Sequence, residues 1–238
     1  MSEKLNAVLM ERERIQAEYQ RRAKEIKPDR YSPWQPAEIF WRNGRKAVAA
    51  AMLNEAFVFP RTGDACLEVG CGTGGWFADL ISWGVRESDL HGIDVDTFRI
   101  SRAKEILPAA DLRVGDAAAL PWANDTFCVV ISSTLFTSVL DFNVRCLIAD
   151  EIVRVLAPGG ALLWYDFAFN NPKNPHVRGI SRSEIRKLFP QLRGEIKSIS
   201  LAPPLARLIV PRSWTIATLL EAIPFLRTHL LAVLIKPL

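Results

Sequence analysis

Glycines and carboxylates recur at fixed places in the middle of this 238-residue chain. The run Glu68-Val-Gly-Cys-Gly-Thr-Gly74 follows a short apolar segment and precedes a helical pattern. A strand, a glycine turn and a helix hold a nucleotide-like ligand close to backbone amides, because Gly70, Gly72 and Gly74 carry no side chain there. By itself this signal is weak, since Gly70, Gly72 and Gly75 also satisfy the dinucleotide pattern GxGxxG.

Acidic residues end the next two predicted strands, at the sheet edge where doubly wound folds bind ligands. Asp94 closes the second strand, and a carboxylate there can accept hydrogen bonds from both hydroxyls of a ribose. Gly115-Asp116-Ala117 closes the third strand, where an acidic side chain followed by a small residue can take an adenine amino group and leave space for the ring. The first feature fits a nicotinamide or an adenosylmethionine cofactor, and the second favours adenosylmethionine.

Short apolar runs separated by helical patterns must position these residues. Strands are predicted at 65–69, 90–94, 112–116, 127–132, 160–166, 194–202 and 229–236. Helices are predicted at 3–27, from Glu38 to about Phe57, near 75–83, 97–107 and 143–156, after Ser181, and around 214–222. The run Leu156-Ala-Pro-Gly-Gly160 is predicted to be a helix stop before a buried strand. The fold class is therefore α/β, with a Rossmann-like, doubly wound, seven-stranded and mostly parallel sheet, an antiparallel final strand, and helices on both faces.

The chain is predicted to divide into an N-terminal helical cap, residues 1–58, and a ligand-binding domain, residues 59–238, with an inserted apolar segment at 203–226.

Composition and charge indicate the class of protein. The chain has 49% hydrophobic and 24% charged residues, which is typical of a globular protein. Its net charge of +4 is spread without a basic tract, so no nucleic-acid partner is expected. The four cysteines show neither zinc nor disulfide spacing, and no His, Asp and Glu cluster predicts a metal. With no export signal or apolar run of roughly 18 residues, we expect a soluble cytoplasmic protein.

Four motifs occur in order between about residues 60 and 166: LEVGCGTGG, GIDVD, GDAAALPWANDTFCVVIS and VLAPGGALL. They resemble the successive motifs of class I S-adenosylmethionine-dependent methyltransferases, in particular type 11-like members. The resemblance implies S-adenosylmethionine as the cofactor and S-adenosylhomocysteine as the product. It also implies the cofactor contacts: Gly70, Gly72 and Gly74 at the methionine part, Glu68 near its ammonium group, Asp94 at the ribose, Val95 against adenine, Asp116 and Ala117 at the adenine edge, and Ser132 or Ser133 under the amino-acid tail.

In this family the methyl acceptor lies beyond the fourth and fifth strands, under the N-terminal segment. The predicted acceptor residues are Tyr31, Trp34, Tyr165, Asn170 and Arg178. His176 is the candidate general base, because it follows the fifth strand in a polar loop and imidazole is the side chain whose ordinary pKa suits proton removal near neutrality. Asp166 would orient His176 or bind acceptor hydroxyls. Three plainer alternatives stay open: a surface histidine, a loop-capping aspartate and aromatic packing between helices.

The apolar segment 203–226 is interpreted first as a cover for the core, with an acceptor pocket, a dimer face or a lipid-contacting surface as alternatives. The runs NNPKNPHVRGISRSEIRKLFP and LRTHLLAVLIKP resemble bacterial methyltransferases associated with polysaccharide or secondary-metabolite assembly. This resemblance favours O-methylation of a small-molecule or sugar-containing acceptor, including a lipid-linked one, by a monomer or homodimer without a transmembrane segment. The alternatives are N- or C-methylation, a nicotinamide-dependent oxidoreductase, and a catalytically silent binding module.

Overall fold

The computed structural model describes residues 3–25, 28–171 and 174–238. The strands are β1 (Cys66–Val69), β2 (Leu90–Asp94), β3 (Asp111–Val114), β4 (Phe127–Ser133), β5 (Leu156–Phe167), β6 (Arg193–Leu201) and β7 (Arg227–Ile235). They form one sheet in the order β3-β2-β1-β4-β5-β7-β6. β7 runs antiparallel to β5 and β6, and the pairs from β3 to β5 are parallel. The predicted seven-stranded Rossmann-like fold with an antiparallel final strand is confirmed.

The helices lie on both faces of this sheet. They are α1 (Glu3–Glu25), α2 (Pro36–Glu55), α3 (Phe77–Ser82), α4 (Thr97–Ile106), α5 (Phe142–Val155), α6 (Arg182–Leu188), α7 (Pro203–Ile209) and α8 (Trp214–Glu221). One core joins the sheet to α5 and α6, and a second core joins its other face to α2, α3 and α4. Because both faces are covered, β1, β2, β4 and β5 consist largely of buried apolar residues.

The run from Leu156 to Gly160 differs from the prediction of a helix stop that precedes the strand. β5 begins at Leu156, directly after α5, and a register shift between Phe127 and Val129 on β4 accommodates the extra residues. A Cβ atom at Gly160 would lie 2.9 Å from the Cys128 carbonyl oxygen. The glycine therefore permits close backbone approach within the sheet, where we expected a turn.

The apolar segment 203–226 contains two helices, α7 and α8, where one was predicted. The missed helix begins at Pro203, and a proline in the first turn is compatible with a helix because it lacks only an amide that would be unpaired there. Residues of α7 and α8 pack with Phe40 and Trp41 of α2 in a third, smaller core. Part of the segment therefore covers the molecule's interior, as the first interpretation held.

The N-terminal helices contact the rest of the molecule in different ways. α1 lies against α5, whereas α2 buries Ala49, Met52 and Leu53 in the core beside the sheet. The last two residues of the predicted helix 3–27 lie outside the described residues, and the domain division at residue 58 stays a prediction. No helix in the described part of the chain combines the length and apolar character needed to cross a membrane.

Candidate active site

The turn after β1 is held to the neighbouring strand by its backbone. The Gly70 and Cys71 amides donate to the carbonyl oxygen of Ile93 at 2.8 and 3.0 Å. Gly70, Gly72 and Gly74 have φ angles of 72°, 54° and 88°. These values lie in the left-handed region that glycine enters without steric cost. The turn after β1 therefore uses glycine at all three predicted positions.

Two of these glycines are required for different reasons. A Cβ atom at Gly74 would lie 2.6 Å from the ring of Phe77, so packing under the turn excludes a side chain there. A Cβ atom at Gly72 would have the Arg99 guanidinium as its nearest neighbour, at 3.5 Å. Gly74 is thus needed by the packing under the turn, whereas a side chain at Gly72 would point towards Arg99 and Asp94 in front of the turn.

The Asp94 carboxylate is fixed at the end of β2 by two backbone amides. Gly72 donates to its Oδ2 at 2.8 Å, and Asp96 donates to its Oδ1 at 2.9 Å. The side chain is buried, and this burial raises the pKa of Asp94 above its ordinary value. The amides hold the carboxylate in one orientation at the edge of a cavity, where it is placed to accept hydrogen bonds.

A cavity of about 100 Å³ opens at the carboxyl ends of the central strands, and we name it the strand-end cavity. Six of the predicted cofactor residues line it: Gly70, Asp94, Val95, Asp116, Ala117 and Ser133. Ile93, Leu135 and Val144 add apolar surface. The Asp94 and Asp116 carboxylates at the strand ends, beside an apolar wall, suit the ribose and adenine of an adenosine group, so the residues present fit the predicted cofactor.

The other predicted cofactor residues are not among the described lining of this cavity: Glu68, Gly72, Gly74 and Ser132. Glu68 is 3% exposed, its Oε2 accepts from the Trp76 amide at 3.3 Å, and burial raises its pKa to about 8. Ser132 is buried and pairs in register with Val69. Glu68 and Ser132 therefore lie beneath the turn and support it.

Helix α1 forms the outer wall of the strand-end cavity. The Gln16 side chain donates to the carbonyl oxygen of Val95 at 3.1 Å, and the Arg99 guanidinium lies 4.1 Å from the ring centroid of Tyr19. Val8, Ile15 and Tyr19 line the cavity from α1. Small-molecule sites usually begin near roughly 300 Å³. A ligand of that size would therefore require α1 to shift outward.

A second cavity of about 530 Å³ adjoins the first, and we name it the arginine cavity. Its cationic lining residues are Arg22, Arg30, Arg42, Arg45, Arg99, Arg178 and Arg207. The two cavities share Tyr19, Arg99, Thr134 and Ser138 as lining residues. A group in the arginine cavity would therefore lie next to a cofactor in the strand-end cavity.

Three of the five predicted acceptor residues line the arginine cavity: Tyr31, Tyr165 and Arg178. The Tyr165 hydroxyl and Ser200 Oγ form a hydrogen bond of 2.9 Å, and burial raises the pKa of Tyr165 to about 12. Asn170 and Trp34 are not among the described lining residues. The Asn170 side chain instead accepts from the Gly179 amide at 2.9 Å, and Trp34 is 66% exposed.

The two predicted catalytic residues, His176 and Asp166, do not contact each other. Asp166 is buried and accepts from the Thr137 hydroxyl at 2.5 Å and from the Thr137 amide at 3.1 Å, and burial raises its pKa to about 6. His176 Nε2 lies 3.6 Å from a carboxylate oxygen of Glu18 on α1. The partner of His176 is therefore Glu18 where Asp166 was expected, and His176 is not among the described lining of either cavity.

The sequence did not indicate Arg45 or His229 as site residues, although both line the arginine cavity. The Arg45 guanidinium lies 4.3 Å from the Trp76 ring centroid and donates to the Gly75 carbonyl oxygen at 3.1 Å, joining α2 to the glycine turn. His229 stacks on Tyr165 with ring centroids 4.9 Å apart, and burial lowers its pKa to about 3. The spacing of Glu38, Arg42 and Arg45 places them on one helix face and could have indicated this site. No local pattern marks His229.

Comparison with known proteins bears on this site. The fold is that of an α/β protein, and its strand-end residues suit a nucleotide-like cofactor. A family model described as a methyltransferase domain matches residues 66–160, the part of the chain that builds the turn and the strand ends. The matched residues are similar to a methyltransferase domain, and the fold is the one that S-adenosylmethionine-dependent methyltransferases share. This similarity indicates S-adenosylmethionine as the cofactor.

Three similar proteins illustrate this. The chain is 27% identical over 169 residues to a probable S-adenosylmethionine-dependent methyltransferase of Mycolicibacterium smegmatis, covering 68% of this chain and 62% of that protein. It is 31% identical over 129 residues to phthiotriol/phenolphthiotriol dimycocerosates methyltransferase 1 of Mycobacterium ulcerans, covering 53% and 46%. The match thus spans about half to three fifths of these relatives. The structure of the N-methyltransferase NodS from Bradyrhizobium japonicum shares the fold, with a TM-score of 0.61, 18% identity, and 87% and 99% coverage.

Proposed function

We propose that this protein transfers a methyl group from S-adenosylmethionine to an oxygen atom of a small-molecule or sugar-containing acceptor. The observation that carries the proposal is the pair of adjoining cavities, one with adenosine-compatible carboxylates and one with space for a second molecule. Methyl transfer requires the donor and acceptor to be held in line and away from water. Two sites that share a wall meet that requirement.

The charge of the arginine cavity supports oxygen as the acceptor atom. A hydroxyl becomes more nucleophilic as its proton passes to water, and nearby guanidinium groups stabilise the negative charge that develops on the oxygen. The same cations would repel an ammonium group. Arg45 contacts Gly75 of the glycine turn, and Arg99 contacts Tyr19, which lines both cavities. We therefore rank O-methylation ahead of N-methylation.

Each part of the site has a proposed role. The bound cofactor supplies an electrophilic methyl group on a sulfonium. Asp94 would accept from the ribose hydroxyls, Asp116 would accept from the adenine amino group, and the methionine part would lie beside Gly72, near Arg99. Tyr31 and Tyr165 would flank the acceptor. His176 becomes a positioning residue in this proposal, because its ring contacts Glu18 and thereby connects the loop after β5 to α1.

The exposed side of α7 and α8 extends the proposal to amphiphilic acceptors. α7 presents Arg207 to the arginine cavity, while Leu208, one residue further on, is 56% exposed. Other large apolar side chains of this region are also exposed: Trp214, Ile216, Leu219 and Phe225. Such a surface beside a cavity suits an acceptor with a polar head and an apolar tail.

We place the reaction in the cytoplasm, where the four free cysteines would stay reduced.

Calorimetric titration of the purified protein with S-adenosylhomocysteine, with NADH in parallel, tests the cofactor assignment. We expect binding of S-adenosylhomocysteine alone. Transfer of a labelled methyl group to glycan, phenolic and amine acceptors then tests the reaction. Binding of NADH alone would make an oxidoreductase the working model. Cofactor binding with no transfer to any acceptor would favour a silent binding module, and transfer only to amines would replace oxygen with nitrogen.

A further inference from the structure

The arginine cavity concentrates positive charge around one aromatic ring. The guanidinium carbons of Arg22, Arg30 and Arg207 lie 5.7, 5.9 and 5.8 Å from the ring centroid of Tyr31. They come from α1, from the 3-10 turn Pro28–Tyr31 and from α7. Three separate elements thus bring cations to one place, and the chain gathers like charges there against their mutual repulsion.

The carboxylates around these cations do not balance them. Among the described lining residues Glu38 is the one carboxylate, at 3.7 Å from Arg207. Within the described residues, neither Arg22 nor Arg30 has a carboxylate at ion-pair distance, and neither has Arg42. The Arg45 Nε atom is buried and has no hydrogen-bond partner there. Solvated surface arginines would not explain a buried, unpartnered guanidinium nitrogen in the same cavity.

From this arrangement we infer that the methyl acceptor carries an anionic group, a carboxylate or a phosphate, which Arg22, Arg30 and Arg207 bind beside Tyr31. The inference rests on the methyl transfer proposed above and adds the chemical class of the acceptor. Guanidinium groups suit this role because their planar donors match the oxygens of carboxylates and phosphates in pairs. The anion is a separate group from the oxygen that receives the methyl.

The size of the arginine cavity indicates that the molecule carrying the anionic group is small. The cavity has a volume of about 530 Å³, within the usual range for small-molecule sites. Because it shares Tyr19 and Arg99 with the strand-end cavity, an acceptor held by its anion at Tyr31 would extend its other end towards the cofactor. The arginines would thereby set the orientation of the acceptor as well as its affinity.

The experiment uses the full chain saturated with S-adenosylhomocysteine at low ionic strength. Pyrophosphate, citrate and glucose are titrated separately in a calorimeter as the phosphate, carboxylate and neutral probes. We expect one or both anions to bind without displacing S-adenosylhomocysteine and to weaken as salt is added, and glucose to show no binding. The tighter of pyrophosphate and citrate identifies the preferred anion. If the protein binds S-adenosylhomocysteine but neither pyrophosphate nor citrate, this inference is overturned and the proposed function is not.

Two variants connect the anion to the cluster. Arg30→Gln and Arg207→Gln should each weaken anion binding by about tenfold, the loss expected for one charged hydrogen bond, and leave S-adenosylhomocysteine affinity unchanged. Arg102→Gln is the matched control, because Arg102 pairs with Glu105 on the exposed face of α4. Equal anion affinity in all three variants would overturn the inference. Failure of the unsubstituted protein to bind S-adenosylhomocysteine would overturn the proposed function and this inference with it.

Discussion

The two cavities are adjacent but are built by different means. The strand-end cavity depends on hydrogen bonds that backbone amides donate, such as those from Gly70 to the Ile93 carbonyl oxygen and from Gly72 to the Asp94 carboxylate. The arginine cavity is lined by long side chains from α1, α2, α4, α7 and the loop after β5. Backbone geometry is fixed by the sheet, whereas arginine side chains have many rotamers. We infer that the strand ends and the glycine turn form a rigid base for the cofactor site, whereas its outer wall α1 and the acceptor site can adapt their shape.

The largest effect should come from closing the rigid site. Gly72→Val would place a branched side chain at a φ of 54°, pointing towards the space between Arg99 and Asp94. We expect S-adenosylhomocysteine affinity to fall by about a hundredfold or more, which corresponds to roughly 2.7 kcal/mol. The strained backbone should also cost about 1–3 kcal/mol of stability. Titration calorimetry measures the first quantity and urea unfolding the second.

Gly84→Val is the matched control for this substitution. Gly84 also has a positive φ, 98°, and a Cβ atom there would meet nothing within 4 Å. We expect a comparable loss of stability with cofactor affinity unchanged. If both variants bind S-adenosylhomocysteine equally, the space before Gly72 is not the ligand's position.

Arg45 tests how far the two regions are independent, because it belongs to both. It lines the arginine cavity and donates to the Gly75 carbonyl oxygen in the turn of the other cavity. We expect Arg45→Met to weaken S-adenosylhomocysteine binding by about tenfold, since one charged hydrogen bond to the turn is lost. Arg42→Met removes the same charge from the same cavity and helix without a contact to the turn. Equal cofactor affinity in the two variants would show that the turn does not depend on α2.

The same contrast explains how much the sequence could predict. The glycine turn, Asp94 and Asp116 follow strands along one stretch of chain, so reading strand ends was enough to predict the fold and propose these residues. Tyr31 and Tyr165 could be proposed from their position relative to the strands. The cluster of Arg22, Arg30 and Arg207 could not, because its members are far apart in sequence and meet only through tertiary packing. The partner of His176 was missed for the same reason, since Glu18 lies on a helix whose docking direction no local pattern reveals.

The protonation of Glu68, which lies beneath the glycine turn, should make the stability of the protein depend on pH. Burial raises the pKa of Glu68 to about 8 in the folded protein from an ordinary value of 4.5. Folding therefore favours the protonated form of Glu68. The contribution of this group to the free energy of unfolding is fully present below pH 4.5 and is lost as the pH rises to about 8.

Glu68→Gln keeps a carbonyl oxygen for the Trp76 amide and removes the titration. We expect the difference in unfolding free energy, Glu68→Gln minus the unsubstituted protein, to rise with pH. The rise should be about 1 kcal/mol or more, because a pKa difference of one unit corresponds to about 1.4 kcal/mol. Urea unfolding at a series of pH values measures it. Glu195→Gln, on the exposed part of β6, is the control. A pH-independent difference for Glu68→Gln would mean that Glu68 is charged in the folded state.

The smallest effect is expected at His176, and it distinguishes a positioning role from a catalytic one. Its ring is 41% exposed and faces Glu18 at 3.6 Å. A contact of 3.6 Å made by an exposed ring contributes little, so we expect His176→Ala to leave kcat within about threefold, with cofactor affinity preserved. Glu18→Gln breaks the same contact from α1 and should change kcat by a similar small factor. A general base would instead lower kcat by about a hundredfold or more on its removal, and only in the histidine variant. That outcome would require the loop after β5 to bring His176 into the arginine cavity during the reaction, and it would make the adaptable region the source of the catalytic group.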